Sequence, residues 1–205
     1  MADRGLEEYR RRRYLRKTPE PAARRGSAGK RPRFVVQEHQ ARTHHFDVRL
    51  EVDGVLKSWA VPKGPSTDPR EKRLAMPVED HPLDYAEFEG VIPEGQYGAG
   101  AVVVWDRGTY DHLTEQDGRP QPVAKALEDG HLVIRLHGEK LKGAYALQRV
   151  AEGKDERWLL IKLKDEAADA RRRSTTSQPR SVLSGRTLND LAERGGRRAA
   201  RRSER

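Results

Sequence analysis

Two histidines and an aspartate near position 40 have the residue types and the spacing of a metal-binding group. His39, His45 and Asp47 form the pattern H-x5-H-x-D. Side chains two residues apart on a strand leave the same face, so His45 and Asp47 can converge on one ion, and His39, one turn or loop earlier, is near enough to supply a third ligand. Two imidazoles and a carboxylate favour Mn, Fe, Co, Ni or Zn over Mg or Ca. The same spacing also fits a strand whose charged face is merely solvated.

Arg49 supports the metal interpretation. It follows Asp47 on the same face of the strand, and a guanidinium beside a Lewis acid can hold and polarise a phosphoester. His44 points to the opposite face of a regular strand, and we interpret it as a bystander.

A second cluster with possible chemistry is the segment EDHPLDY, residues 79–85. His81 is suited to donate to a phosphate oxygen or to protonate a leaving alkoxide, and Tyr85, one helical turn later, can reach the same point. Spacing alone favours a structural interpretation, in which His81 and Pro82 fix a turn, Asp84 complements the dipole of a short helix and Tyr85 packs.

Several classes of site are excluded. The chain has no cysteine, which excludes disulfides, zinc thiolates, iron–sulfur clusters and cysteine nucleophiles. The glycine-rich stretch Gly90–Gly100 lacks the Lys-Ser/Thr of a P-loop, and its glycines are more typical of a tight loop. Neither a G-x-S-x-G elbow nor an H-E-x-x-H helix occurs. No apolar run approaches the roughly 18 residues of a membrane span, so a soluble intracellular protein is expected.

The elements that must position these groups are mostly strands. His45–Val52 alternates strictly between apolar and polar residues, and Asp53-Gly54 is a hairpin signal. Helical pattern is limited to Leu83–Phe88 and Val123–Leu127 within the central part of the chain. Many short strands without long helices between them predict a mainly β fold, an antiparallel barrel or sandwich with small helices attached. The predicted strands are Phe34–Val36, His45–Val52, Val55–Val61, Leu74–Val78, Ala101–Asp106, His131–Leu136, Ala144–Val150 and Trp158–Lys164.

Charge divides the chain into three parts. The formal net charge of +9 is distributed as +8 over residues 1–33, −4 over 34–164 and +5 over 165–205. We predict a basic N-terminal helix (Leu6–Lys17) and flexible linker over 1–33, a barrel domain over 34–165, and a basic, largely disordered tail over 166–205 with one short helix in Leu183–Ala192. Basic arms of this kind either hold a polyanion or are solvated tails.

Residues 34–110 resemble the 3′-phosphoesterase module of bacterial DNA ligase D, which also occurs as a free-standing protein. The resemblance is carried by the uncommon segments HFDVR, VPKG, EDHPLDY and IPEGQYG. It continues through LKGAYALQR and WLLIKLKD to about residue 165, and LEEYRRRRYLRKTPEP resembles the segment that precedes the module.

The resemblance implies a compact antiparallel β-barrel with small flanking helices. It implies a phosphoesterase that uses Mn2+, or another divalent ion such as Co2+ or Zn2+, at DNA 3′ ends during non-homologous end joining. Such an enzyme removes a 3′-terminal ribonucleoside and then hydrolyses the remaining 3′-phosphate to a 3′-hydroxyl. The implied partners are a DNA primer-template with a 3′-phosphate or 3′-ribonucleotide end, and an end-joining ligase, a polymerase and Ku-type proteins. The implied location is cytoplasmic and nucleoid-associated.

The resemblance also assigns roles to residues. In it His39, His45 and Asp47 are the metal ligands, Arg49 and His81 bind the phosphate and act in catalysis, and Tyr85 closes the catalytic site. Further substrate-binding positions match Lys63, Arg73 and Glu79, and two positions used mainly in ribonucleoside removal match Arg13 and Glu20. Where the family usually has an acid after the arginine run, this chain has Tyr14, which bears on the ribonuclease step.

From these assignments we expect direct attack of water on phosphorus, because no cysteine, serine or aspartate at a matched position is placed as a covalent nucleophile. The alternative from another class is a non-enzymatic DNA- or RNA-end-binding module whose His and Asp residues are inert. A third interpretation is a general metallophosphoesterase for small nucleotides. The chain has no Lys-x-Asp-Gly motif of nucleotidyltransferases, so sealing of DNA must come from another protein.

Overall fold

The computed structural model describes residues 4–27, 29 and 31–193. The last twelve residues of the predicted tail and two positions of the predicted linker, 28 and 30, lie outside the described residues. No helix in the described ranges has the length and apolar character needed to cross a membrane.

Strands dominate the described part of the chain. The strands are β1 (Arg33–Gln40), β2 (His44–Val52), β3 (Val55–Val61), β4 (Lys72–Pro82), β5 (Gly90–Ile92), β6 (Gly100–His112), β7 (Glu115–Gln116), β8 (Arg119–Pro120), β9 (His131–Gly138), β10 (Lys142–Ala151) and β11 (Arg157–Lys162). The helices are α1 (Glu7–Arg12), α2 (Val123–Glu128) and α3 (Ser174–Ser177), with 3-10 turns at Arg4–Leu6, Leu83–Glu87 and Gly153–Asp155.

The main sheet closes on itself. Its strand order is β1-β2-β3-β4-β11-β10-β9-β6, and β6 pairs again with β1. Every pairing is antiparallel, and β5 adds to one part of β6. The predicted antiparallel barrel with small helices is therefore confirmed as a closed eight-strand barrel.

Strand β2 shows why the sequence folds in this way. Its four apolar residues, Phe46, Val48, Leu50 and Val52, all lie in the interior core cluster. The alternate residues point outward, yet Asp47, Arg49 and Glu51 are buried. The outer face of β1 to β3 is therefore not solvated. A second layer covers it, formed by the N-terminal segment, the 3-10 turn Leu83–Glu87 and β5, whose apolar residues include Leu6, Tyr9, Leu83, Tyr85 and Ile92.

Two predicted boundaries were wrong in ways that matter for the site. Strand β1 continues beyond Val36 to Gln40, so His39 lies on a strand and not in a turn. Helix α1 ends at Arg12 and not at Lys17, because Arg13 is extended (φ −124°, ψ 135°) and its side chain is drawn into buried ion pairs. The Asp53-Gly54 hairpin is confirmed, with positive φ at both residues.

The chain after the barrel runs back across it. Trp105 Nε1 donates to the carbonyl oxygen of Gln178 at 2.9 Å, and Lys140 Nζ donates to the same oxygen at 2.8 Å. Further on, residues 188–193 are helical and Leu191 packs beside Val103 of β6. The segment from 166 to 193 thus contacts the barrel, and its short helix falls in the stretch where the leucine periodicity indicated one.

Gly100 fixes how closely β6 approaches the end of β1 that carries His39. Its φ is +138°, and a Cβ there would lie 2.0 Å from the carbonyl oxygen of Gln40. Gly118, in a distant hairpin, has φ +71° but nothing within 4 Å of a Cβ. Both glycines have a positive φ, but a Cβ would overlap neighbouring backbone only at Gly100. Substitutions at the two positions therefore distinguish the cost of backbone strain from the cost of steric overlap.

We predict that Gly118→Ala lowers the free energy of unfolding by about 1 kcal/mol, the usual cost of a left-handed alanine. Gly100→Ala is expected to cost at least about 2 kcal/mol more, because backbone atoms of β1 must also move. Urea unfolding measures both. Equal losses in the two variants would contradict the close approach at Gly100.

Candidate active site

The proposed metal ligands come together on the outer face of the barrel. His39 and His45 are directly opposite in the register of β1 and β2, and their ring centroids are 4.8 Å apart. Asp47 Oδ2 lies 3.7 Å from His39 Nδ1 and 3.6 Å from His45 Nε2. One ligand atom from each residue lies within 4.8 Å of the others. Cross-strand pairing and same-face alternation together produce this group.

Backbone carbonyls orient both imidazoles. His39 Nε2 lies 2.9 Å from the carbonyl oxygen of Gly98, and His45 Nδ1 lies 2.9 Å from that of Thr43. A carbonyl only accepts, so each of these nitrogens carries the proton in the neutral ring. The unprotonated nitrogens, His39 Nδ1 and His45 Nε2, are the two that face Asp47. Metal-binding histidines are commonly fixed in this way.

Arg49 connects this group to the rest of the cluster. Its Nε donates to Gln37 Oε1 at 2.8 Å, and its Nη1 donates to Ser58 Oγ at 2.8 Å. Nη1 also lies 2.9 Å from His81 Nδ1, while Nη2 forms an ion pair with Asp47 at 3.1 Å. The guanidinium is buried, and residues of β1 to β4 surround it.

The electrostatics of Asp47 follow from this arrangement. Burial opposes the charged form of Asp47, but the positive charge of Arg49 and the nearby His39 and His45 rings outweigh it and hold the pKa of the carboxyl well below its ordinary value. Asp47 is therefore an anion at neutral pH, and it faces the unprotonated nitrogens of two imidazoles.

His81 reaches the outer face through an irregularity in β4. Ser58 pairs with Val78, but Leu56 pairs with His81, so β4 has one more residue than β3 across this stretch. Such a bulge re-aims the side chains that follow it. It places His81 beside Arg49.

Two guanidiniums flank the His81 ring. Its Nδ1 lies 2.9 Å from Arg49 Nη1, and its Nε2 lies 3.1 Å from Arg13 Nη2. Burial lowers the pKa of His81 well below its ordinary value, and the charges of Arg49 and Arg13 lower it further. The imidazole is therefore neutral at physiological pH.

The N-terminal segment forms the outer wall of the cluster. Arg13 donates from Nε to Glu20 at 2.8 Å and from Nη1 to Glu79 at 2.7 Å. The Tyr85 hydroxyl donates to Glu20 at 2.9 Å, and burial raises the pKa of Tyr85 well above its ordinary value. Tyr9, fully buried, packs edge-on against His81 with ring centroids 5.2 Å apart. The segment predicted as a basic arm is thus, up to Glu20, a packed part of the site.

Most of the residues predicted for the site lie together, and two do not. His39, His45, Asp47, Arg49, His81, Tyr85, Glu79, Arg13 and Glu20 form one continuous cluster. Lys63 is exposed just after β3. Arg73 shares the inward-facing side of β4 with Ala75 and bonds to Glu71 at 2.6 Å. Their assignment as substrate-binding residues stays a prediction.

Sequence reasoning missed three contributors. Gln37 holds Arg49 from the position two before His39, a signal that was available once β1 was extended to Gln40. Ser58 contributes from β3, and nothing in its local sequence marks it. The Gly98 carbonyl comes from the glycine-rich loop, which had been interpreted only as a tight turn.

Comparison with known proteins identifies the family of the chain. The profile of the DNA Ligase D 3′-phosphoesterase domain matches residues 37–149. The chain is 51% identical over 188 residues to the multifunctional non-homologous end joining protein LigD of Pseudomonas aeruginosa, covering 89% of this chain and 22% of that protein. It is 46% identical over 167 residues to the corresponding DNA repair protein of Mycobacterium tuberculosis, covering 81% and 20%.

The chain therefore spans about a fifth of the length of the curated relatives it matches. The profile match, residues 37–149, includes the cluster members from His39 to Tyr85, while Arg13 and Glu20 lie before it. On the profile match and on these identities, the chain belongs to the DNA ligase D 3′-phosphoesterase domain family.

Proposed function

We propose that this chain is a divalent-metal-dependent phosphoesterase that processes DNA 3′ ends. It hydrolyses a terminal 3′-phosphate and also acts on a 3′-terminal ribonucleoside, and it leaves a 3′-hydroxyl suitable for end joining during double-strand break repair. The observation that carries the proposal is the unbroken row formed by the His39, His45 and Asp47 group, Arg49 and His81 on one covered face of the barrel.

The donor set fits a divalent transition metal. Two ligand atoms bound at about 2.1 Å to one ion lie at most about 4.2 Å apart. Both contacts of Asp47 meet that limit, and the two histidine ligand atoms lie within 4.8 Å of each other, so ion binding requires at most a small rotation of the imidazoles. The imidazole nitrogens that face Asp47 are the unprotonated ones, as a ligand requires. Two nitrogens and one carboxylate oxygen suit Mn2+, the cofactor we propose, and also Co2+ or Zn2+. When bound, the ion supplies Lewis-acid polarisation of a phosphate oxygen.

The buried charges explain why a phosphate site here would need a cation. The guanidiniums of Arg49 and Arg13 face three carboxylates, Asp47, Glu20 and Glu79, so these five buried groups sum to −1. One divalent cation changes that sum to +1. A phosphate dianion is repelled by the first arrangement and attracted by the second.

The side chains of the cluster have different proposed roles toward the phosphate. Arg49 Nη2, on the side of the metal ligands, is placed to donate to a phosphate oxygen next to Asp47. His81, neutral because its pKa is lowered, is better suited to hydrogen bonding than to delivering a proton as imidazolium. With the phosphate held between Arg49, His81 and the metal ligands, water attacks phosphorus in line, and the 3′-oxygen leaves. Tyr85 keeps its proton and closes the site through Glu20.

The proposed partners follow from the substrate. They are a primer-template with a 3′-phosphate or 3′-ribonucleotide end, and the ligase, polymerase and Ku-type proteins of an end-joining pathway. The nucleoid is the expected location because DNA ends are found there. Lys63, Arg73 and Glu79 are proposed to contact the substrate strand. The competing function is a non-enzymatic DNA- or RNA-end-binding module, and a small-nucleotide phosphatase is the other alternative.

Removal of one metal ligand should abolish activity. We predict that His45→Ala lowers the rate of phosphate release from a 3′-phosphorylated primer at least about 100-fold, since even groups that only orient ligands contribute 10- to 100-fold. Excess EDTA should abolish the wild-type activity, and added Mn2+ should restore it. The small-nucleotide alternative is tested by competition. It would be favoured if a mononucleotide inhibited hydrolysis of the labelled primer as strongly as an unlabelled primer does at the same concentration.

His44→Ala is the matched control. His44 is the neighbouring histidine on the opposite face, where its Nε2 lies 2.9 Å from Glu38 Oε1. Its loss should change activity less than twofold or threefold, the ordinary effect of a surface substitution. Full Mn2+-dependent activity of the His45→Ala variant would contradict the proposal, and DNA binding without any hydrolysis by the wild type would favour the binding module.

Arg13 is expected to separate the two reactions. Phosphate release depends first on the metal ligands and on Arg49, whose partners on β1 to β4 do not include Arg13. We predict that Arg13→Ala slows removal of a 3′-ribonucleoside about tenfold more than it slows release of a 3′-phosphate, a difference in activation free energy of about 1.4 kcal/mol. Single-turnover assays on the two primers measure the ratio.

Arg11→Ala is the control for the loss of a positive charge. Its side chain is 77% exposed and, among the described residues, forms an ion pair with Glu8 at 2.6 Å. The ratio of the two rates should stay at the wild-type value in this variant. Equal losses of both activities in Arg13→Ala would argue against a specific role in the ribonucleoside step.

A further inference from the structure

Tyr97 is an exposed aromatic residue at the edge of the proposed active site. It lies in the loop between β5 and β6, one residue before the Gly98 carbonyl that holds His39 Nε2 at 2.9 Å. Its hydroxyl accepts a hydrogen bond from Arg12 Nη1, and that nitrogen also lies 3.3 Å from Glu79. The ring is therefore held next to the metal ligands on one side and to the N-terminal wall on the other.

The Tyr97 ring is held in place by its neighbours, but part of it remains accessible to solvent. The guanidinium carbons of Arg12 and Arg13 lie 4.9 Å and 5.3 Å from its centroid, and 44% of the residue remains exposed. Tyr14 is the other tyrosine among the large exposed apolar side chains of the described chain, and its ring lies 5.8 Å from Lys17, away from the cluster. Of the two, Tyr97 contacts Arg13, whose Nη2 lies 3.1 Å from His81 Nε2.

We propose that Tyr97 is the stacking platform for the base of the 3′-terminal nucleotide. The inference rests on the proposed function, because it takes the terminal 3′-phosphate to lie between Arg49, His81 and the metal ligands. A base is separated from its own 3′-phosphate by a single sugar, so the ring beside the phosphate site is within reach of that base. Stacking is independent of sequence because every base has a π-face. An enzyme that meets any terminal sequence needs that tolerance.

Arg12 is the positioning residue for this platform. It holds the tyrosine hydroxyl, and it is itself tied to Glu8 and Glu79. An aromatic ring with its orientation already set loses little entropy when a base stacks on it. Tyr97→Phe removes the hydroxyl and keeps the ring, whereas Tyr97→Leu keeps an apolar side chain and removes the π-face.

The test compares two 3′-phosphorylated primers that differ only in the last nucleotide, one ending in thymidine and the other in an abasic residue. For the full wild-type chain with Mn2+, we expect kcat/KM to be about tenfold higher with the thymidine primer, within the range measured for single base–aromatic stacks. In Tyr97→Leu the ratio of the two values should fall to about one, and in Tyr97→Phe it should stay within about twofold to threefold of wild type. The Tyr14→Ala control should keep the full ratio.

A second measurement needs no hydrolysis. A primer that ends in 2-aminopurine loses fluorescence when that base stacks on an aromatic ring. The primer carries a 3′-hydroxyl, so the titration can be run with Mn2+ and no phosphate is hydrolysed. Wild type and Tyr97→Phe should quench the signal, and Tyr97→Leu should not. An unchanged ratio of kcat/KM or unchanged quenching in Tyr97→Leu would overturn the platform. If the wild type released no phosphate from either primer, the proposed function would fail, and the quenching experiment would still decide the role of Tyr97.

Discussion

The site is organised around one buried guanidinium. Arg49 lies on an outward-facing position of β2, but a second layer removes it from solvent, and a buried charge is tolerated only where partners surround it. Those partners come from four adjacent strands, with Gln37 on β1, Asp47 on β2, Ser58 on β3 and His81 on β4. A shift of one residue in any of the three pairings would turn a partner to the opposite face. The strand register of this part of the barrel therefore determines the geometry of the proposed site.

The distribution of charge along the chain takes on a different meaning in the folded protein. The excess of +8 in residues 1–33 suggests an arm that grips a polyanion, yet Arg13 is buried and its positive charge is matched by Glu20 and Glu79. Tyr9 and Leu6 fill the space beside it. The N-terminal segment packs against the site and supplies Arg13 and Glu20 to a buried ion-pair network that also includes Glu79. Its free positive charge is smaller than its composition indicates.

Strict alternation made β2 predictable and the Asp53-Gly54 hairpin signal made β3 predictable, and the inward and outward residues of β2 follow from the sequence alone. The extent of β1 was not predictable in the same way, because its outer residues Gln37 and His39 are polar and the apolar signal stops at Val36. The bulge that aims His81 and the end of α1 at Arg13 depend on residues distant in the chain, because His81 meets Arg49, 32 residues away, and Arg13 pairs with Glu79, 66 residues away. So do the contacts of Lys140 and Trp105 with Gln178. Local pattern identifies the elements, while long-range ion pairs and hydrogen bonds decide where they end.

The His81 ring gives a physical reason for an anion at this point. A neutral imidazole has one acceptor nitrogen, but Arg49 Nη1 faces Nδ1 and Arg13 Nη2 faces Nε2, and both are donors only. If Nδ1–H donates to the Glu79 carbonyl at 2.8 Å, Nε2 accepts from Arg13 and Arg49 faces an N–H. The other tautomer leaves Arg13 in that position. In either case one guanidinium N–H points at an imidazole N–H, and Arg49 Nη1 also donates to Ser58 Oγ at 2.8 Å. A phosphate oxygen placed there would accept from the imidazole N–H and from the guanidinium together, so the arrangement is complementary to the phosphate of the proposed substrate.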